Sequence, residues 1–193
     1  MIHVLQTRTA NTASVLAALR RAGAAPTIIQ EAEEVGRASH LVLPGVGAFA
    51  AAREAVDGTV EALRERIAAG RPTLGICLGF QLLGQGSEES PGAEGLGILP
   101  EVATRFPETV RVPQIGWNRI APDADCRLLE PGYAYFANSY RFTGAAPGWG
   151  VATADHAGPF VAAVERGAVL ACQFHPELSG PWGLALIRRW LET

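Results

Sequence analysis

The chain has 193 residues, 48% hydrophobic and 18% charged, values that suit one globular domain with a sizeable core. A formal net charge of −3 supplies no basic footprint for nucleic acid, and no run of about 18 apolar residues offers a membrane span. Three scattered cysteines argue against a disulfide framework, and with all 16 basic residues Arg there is no lysine for Schiff-base chemistry.

The N-terminal stretch Met1–Gln6 lacks the basic region of a signal peptide and reads as a first core strand over Ile2–Leu5. A cytoplasmic chain with reduced thiols is the expectation. A polar turn over Gln6–Thr9 follows. Asn11 or Thr12 then caps a helix with Val15, Leu16 and Leu19 inside and Gly23 closing it. Pro26–Ile29 and Leu41–Leu43 read as strands, the second running into the glycine turn Gly45-Val46-Gly47. Thr59 is placed to cap a helix with Val60, Leu63 and Ile67 inside, ended by Gly70.

Thr73–Ile76 is a short apolar strand, and a helix with Leu78, Leu82 and Leu83 on its apolar side opens just after it. Cys77 stands between the two, with Gly75 and Gly79 flanking it to let the backbone bend. This is the Gly-x-nucleophile-x-Gly layout of a nucleophile elbow, with Cys in place of Ser. Unpaired N–H groups and the positive end of a helix favour a charged sulfur there. A small buried Cys in an ordinary turn has the same pattern.

Strand and helix alternate throughout this half, which predicts a mostly parallel sheet covered by helices, with ligands beyond the strands' carboxyl ends. From Gln85 to Gly97 the chain reads as an ordered loop. Strand-like runs follow at Val102–Phe106, Thr109–Val112, Tyr133–Phe142, Gly150–Ala154, Phe160–Glu165 and Val169–Phe174, suggesting an antiparallel or mixed extension of the same sheet. Leu184, Ile187 and Leu191 mark a closing helix. No composition shift marks a boundary, so residues 1–193 are expected to form one domain.

A cysteine nucleophile needs a base and a group to orient that base. Of four histidines, His175 ends a strand and has Glu177 two residues on, on the same side of an extended chain. His3 and His156 have no such neighbour, and His40 opens a core strand. The turn at Gly45–Gly47 and the residue after the nucleophile, Leu78, can each offer an oxyanion N–H. Gln81 lies one helical turn beyond Cys77, placed to meet a polar substrate.

Together, Pro44-Gly45-Val46-Gly47, Gly75-Ile76-Cys77-Leu78-Gly79 and Phe174-His175-Pro176-Glu177 resemble the class I, triad-type glutamine amidotransferases. Gly116-Trp117-Asn118 and Asn138-Ser139-Tyr140 make the chain similar, within that class, to the glutaminase subunits of imidazole glycerol phosphate synthase, a histidine-biosynthesis enzyme. The resemblance covers almost the whole chain. It implies a flavodoxin-like fold, a catalytic triad of Cys77, His175 and Glu177, and a glutamine site at Gly47, Leu78, Gln81, Glu89, Ser139 and Tyr140. It implies no cofactor or metal, and a heterodimer with a separate (β/α)₈ synthase subunit that meets Asn11, Trp117 and Tyr135. Trp117 is otherwise a candidate core residue.

Three positions depart from the family pattern: Leu178 where Lys is frequent, Asn138 where His is common, and Thr9-Ala10-Asn11 in place of a Gly-Asn turn. Rival readings are the glutaminase of pyridoxal phosphate synthase, which should lack Gly116-Trp117-Asn118, and a cysteine-elbow peptidase or chaperone, which leaves His175, Glu177 and Gln81 unexplained.

Overall fold

The computed structural model describes residues 1–7, 11–144 and 147–193. The end of the expected polar turn and the Thr9-Ala10 departure lie outside the described residues. The first half alternates β1 (Ile2–Leu5), α1 (Thr12–Arg21), β2 (Pro26–Ile29), α2 (Ala32–Arg37), β3 (His40–Gly45), α3 (Phe49–Ala55), α4 (Val60–Ala68), β4 (Thr73–Cys77) and α5 (Leu78–Gln81). The second half contributes β5 (Gly86–Ser87), β6 (Val102–Arg105), β7 (Gln114–Pro122), β8 (Gly132–Asn138), β9 (Tyr140–Arg141), β10 (Gly150–Asp155), β11 (Pro159–Arg166), β12 (Val169–Cys172) and α6 (Gly180–Leu191).

Among the described residues, nine strands form one sheet in the order β2-β1-β3-β4-β12-β11-β10-β7-β8. The five strands from β2 to β12 run parallel. The remaining four join antiparallel, as the expected extension. A small sheet of β5, β6 and β9 flanks it. Along β3, Leu41 and Leu43 pack into one core while Val42 packs into the other, so the period-two alternation feeds apolar layers on both faces. Burial on both sides is why β3 and β4 read as short, nearly unbroken apolar runs.

Asn11 caps α1 as expected, its side chain accepting from the Ser14 N–H. Several expectations need correction. Thr59 sits at the start of α4 but its hydroxyl donates back to the Val56 carbonyl at 2.8 Å, so it caps nothing. Inside α4, Arg66 is buried beside Val60, Leu63 and Ile67, its guanidinium donating to the carbonyls of Val35, Ala38, Ser39 and Pro72. Thr109–Val112 forms no strand; the strand starts at Gln114. The Tyr133–Phe142 run is two strands broken at Ser139. In α6 the buried side is Gly183, Leu186, Ile187 and Trp190, leaving Leu184 and Leu191 half-buried.

Candidate active site

β4 and β12 are neighbours at the sheet centre, with Cys172 paired to Ile76, so both chains leave the sheet at the same end. β4 delivers Cys77, and β12 continues through Gln173 to His175. On β4's other side Gly45 pairs with Cys77, which brings the β3 turn through Gly47 alongside the sulfur.

The elbow differs from its sequence reading. The bend sits on Cys77 itself, with φ 53 and ψ −105, while Gly75 and Gly79 are not in the left-handed region. A glycine at 79 is required for close approach: a Cβ there would lie 1.9 Å from the Leu43 carbonyl oxygen. α5 is only one turn long, so little helix dipole reaches the sulfur. The electrostatic partner is instead His175.

His175 is 5% exposed and Glu177 7%, and Nδ1 of the imidazole lies 2.8 Å from Glu177 Oε1. The contact exists, but not through an extended chain. Pro176–Leu178 coil into a 3₁₀ turn that swings the carboxylate back under the ring. Burial alone would depress the imidazole. Hydrogen bonds and charge from Cys77 and Glu177 outweigh it and push His175 up to about 10, so the ring is held as a cation between sulfur and carboxylate. Its backbone is pinned as well. The His175 N–H donates to the Tyr135 carbonyl at 2.9 Å, and Ser179 Oγ donates to the His175 carbonyl while accepting from the Tyr135 N–H.

A cavity of about 230 Å³ opens over Cys77 and His175. All six residues expected at a glutamine site line it: Gly47, Leu78, Gln81, Glu89, Ser139 and Tyr140. Gly47 has φ 95, which favours glycine at that turn. Glu89 accepts from the Phe49 N–H at the start of α3, at 2.7 Å, and is thereby held at the cavity wall. Gln81 spends its amide nitrogen on Gln173 (2.9 Å) and the Tyr140 carbonyl (3.3 Å), while its buried oxygen has no partner among the described residues. Gln173 itself was not singled out from sequence as a site residue. It is fully buried and donates to Cys77 Sγ at 3.5 Å. It stands just past the end of β12, two residues before His175, with no local pattern to mark it.

The other histidines stand apart. His40 lies edge-on to Trp190, and His156 Nε2 faces the Arg111 carbonyl at 2.9 Å. Of the expected partner contacts, Trp117 is 58% exposed and is therefore not core. It pairs across strands with Tyr135, ring centroids 6.2 Å apart, and Ile115 and Tyr133 are exposed on the same two strands. Asn11 stands at the start of α1, whose helix packs against the Pro176–Leu178 turn.

Residues 4–192 match the family described as glutamine amidotransferase class-I. The fold is also that of a solved glutamine amidotransferase at a TM-score of 0.79 and 23% identity, covering 99% of this chain and 97% of that one. The chain belongs to the class-I glutamine amidotransferases. It is 39% identical to imidazole glycerol phosphate synthase subunit HisH of Streptococcus gordonii, covering 94% of this chain and 91% of that protein. To the HisH subunit of Methanothermobacter thermautotrophicus it is 38% identical, covering 100% and 98%. The chloroplastic imidazole glycerol phosphate synthase hisHF of Arabidopsis thaliana is 40% identical over 94% of this chain, which spans 32% of that protein. Within the class, this chain is a member of the HisH subunit family.

Proposed function

We propose that this chain is the glutaminase subunit of imidazole glycerol phosphate synthase and hydrolyses L-glutamine at Cys77. The observation that carries the reading is the convergence of Cys77, the imidazole–carboxylate pair of His175 and Glu177, and a polar cavity at the carboxyl end of the central strands. Sulfur attacks the carboxamide carbon, and the N–H groups of Gly47 and Leu78 receive the developing oxyanion. His175 gives its proton to the leaving nitrogen, ammonia departs and a glutamyl thioester remains. His175 then takes a proton from water, which attacks the thioester and frees glutamate. Glu177 holds the ring in place and balances its charge. Glu89 is suited to the substrate's α-amino group, and the Ser139-Tyr140 backbone to its other end.

Ammonia then passes to a separate (β/α)₈ synthase subunit, which makes imidazole glycerol phosphate and an aminoimidazole carboxamide ribotide. The Arabidopsis relative, about three times longer than the matched part, supports a larger assembly. Exposed Trp117, with Tyr135 beside it, suits an interface anchor, and such anchors often carry at least ~2 kcal/mol each. The test is glutaminase rate against added synthase subunit. The isolated chain should be slow, and partner plus synthase ligand should accelerate it. Trp117→Ala should weaken assembly about tenfold or more, ~1.4 kcal/mol, with unchanged unfolding temperature. A full glutaminase rate without partner would overturn the coupling.

A further inference from the structure

Gln173 is a wholly buried side chain touching the nucleophile, and the reaction above gives it no task. Its orientation can be settled from the main chain outward. The Tyr140 carbonyl can only accept, and it takes Gln81 Nε2 at 3.3 Å together with Asn138 Nδ2 at 3.0 Å. The Gln81 amide nitrogen must therefore face that carbonyl. Its second hydrogen goes to Gln173 Oε1 at 2.9 Å. With its oxygen committed to Gln81, Gln173 has its NH₂ toward Cys77 Sγ, 3.5 Å away. Turning the Gln173 amide over would set two NH₂ groups against each other and an amide oxygen against the sulfur. The Gln173 backbone is fixed too, its N–H donating to the Ala162 carbonyl at 2.8 Å.

We propose that Gln173 is a positioning residue for the nucleophile: a one-way donor, locked by Gln81 and the Tyr140 carbonyl, that holds the Cys77 sulfur and favours its charged form. The proposal rests on glutamine hydrolysis at Cys77. A donor to an anion makes a stronger hydrogen bond than a donor to a neutral group, so the contact strengthens whenever sulfur carries charge. That happens twice in the cycle: before attack, and again when the carbon–sulfur bond of the thioester breaks and its electron pair returns to sulfur. Gln81 and Tyr140 also line the substrate cavity, so the groups that meet glutamine are those that aim the Gln173 donor.

The test uses the full chain and two variants. Gln173→Leu removes both ends of the amide, while Gln173→Glu keeps an acceptor for Gln81 and loses the donor. Iodoacetamide labelling of Cys77 is followed by mass spectrometry from pH 5 to pH 10, alongside glutaminase kinetics with the synthase subunit and thermal unfolding. Both variants should move the midpoint of Cys77 labelling upward by about one pH unit, the scale of a lost hydrogen bond to the charged form. They should also lower kcat about tenfold or more with KM changed far less. Glutamate, placing a carboxylate beside the sulfur, should give the larger shift. Should Gln173→Leu fail to fold, Gln173→Met, of similar length and without a donor, takes its place, since a carboxylate at 173 raises the midpoint by its own charge. Midpoints unchanged from the parent would overturn the proposal, whatever the rates, because a purely structural residue leaves that midpoint in place. The underlying reading is judged separately on the parent chain, where loss of glutaminase activity must keep step with Cys77 labelling.

Discussion

Replacing Gly79 by alanine would set a methyl carbon 1.9 Å from the Leu43 carbonyl oxygen and 2.9 Å from its carbonyl carbon. Non-bonded heavy atoms settle at roughly 3.5 Å, so α5 and β3 must part by about 1.5 Å. Leu43 cannot swing aside, since its backbone lies in a strand paired on both sides, to β1 and to β4. Overpacking costs ~1–3 kcal/mol, and an obstacle of this kind belongs at the upper end. At about 2–4 °C per kcal/mol for a chain of this size, Gly79→Ala should lower the unfolding temperature by roughly 6–12 °C. The effect on turnover should be larger, because β3 leads into Gly47 and a misplacement of about 1 Å can cost ~10²-fold in rate. Thermal unfolding and glutaminase turnover with the synthase subunit measure the two. Gly36→Ala is the control. Gly36 lies in α2 with no atom within 4 Å of an added Cβ, so alanine should stabilise by up to ~1 kcal/mol. A Gly79→Ala chain that melts and turns over like the parent would refute the close-approach reasoning.

A glutamine-like electrophile should label Cys77 and spare the other thiols, because burial pushes Cys126 up to about 12 and Cys172 far upward, leaving little thiolate in either; label found chiefly on Cys172 would contradict this. Cys77→Ala should abolish glutamine hydrolysis yet leave the complex able to use free ammonia, and loss of that ammonia-dependent activity would mean damaged assembly. Glu177→Gln should slow single-turnover chemistry less than His175→Ala, since one orients and the other transfers the proton; equal losses would erase the division of roles. His175 is raised in the folded chain from an ordinary 6.5 to about 10, so its stabilising contribution is complete below pH 6.5 and is lost as pH rises toward 10. Denaturant titrations of parent and His175→Ala should therefore converge over that range, and a gap that widens with pH would reverse the sign.

The parallel half was legible because β1, β3 and β4 are buried along nearly their whole length and read as largely apolar runs between turns. α2 and α3 were not, for a physical reason: each buries only one or two side chains, Val35 in one and Phe49 with Ala52 in the other. Without an apolar stripe there is no 3.6-residue signal. α2 is held instead by reciprocal contacts between Glu31 and Glu34 at its start. β7 was displaced in the sequence reading because its alternation runs outward, with Ile115 and Trp117 exposed where a core strand would bury them. At the site, Cys77, His175 and Glu177 could be read from local spacing, although the turn that joins the last two could not. Gln173 escaped because its task depends on Gln81 and Tyr140, which only the folded chain brings to it.

The left-handed backbone at Cys77 sets folding and chemistry at odds. A side chain held in such a conformation costs on the order of 1–3 kcal/mol, and glycine would relieve most of that. Screening variants for thermostability alone should therefore reward glycine at position 77, a hardier chain with no nucleophile. Any programme to toughen this protein must score turnover alongside melting, or it will select against the one atom on which the reaction depends.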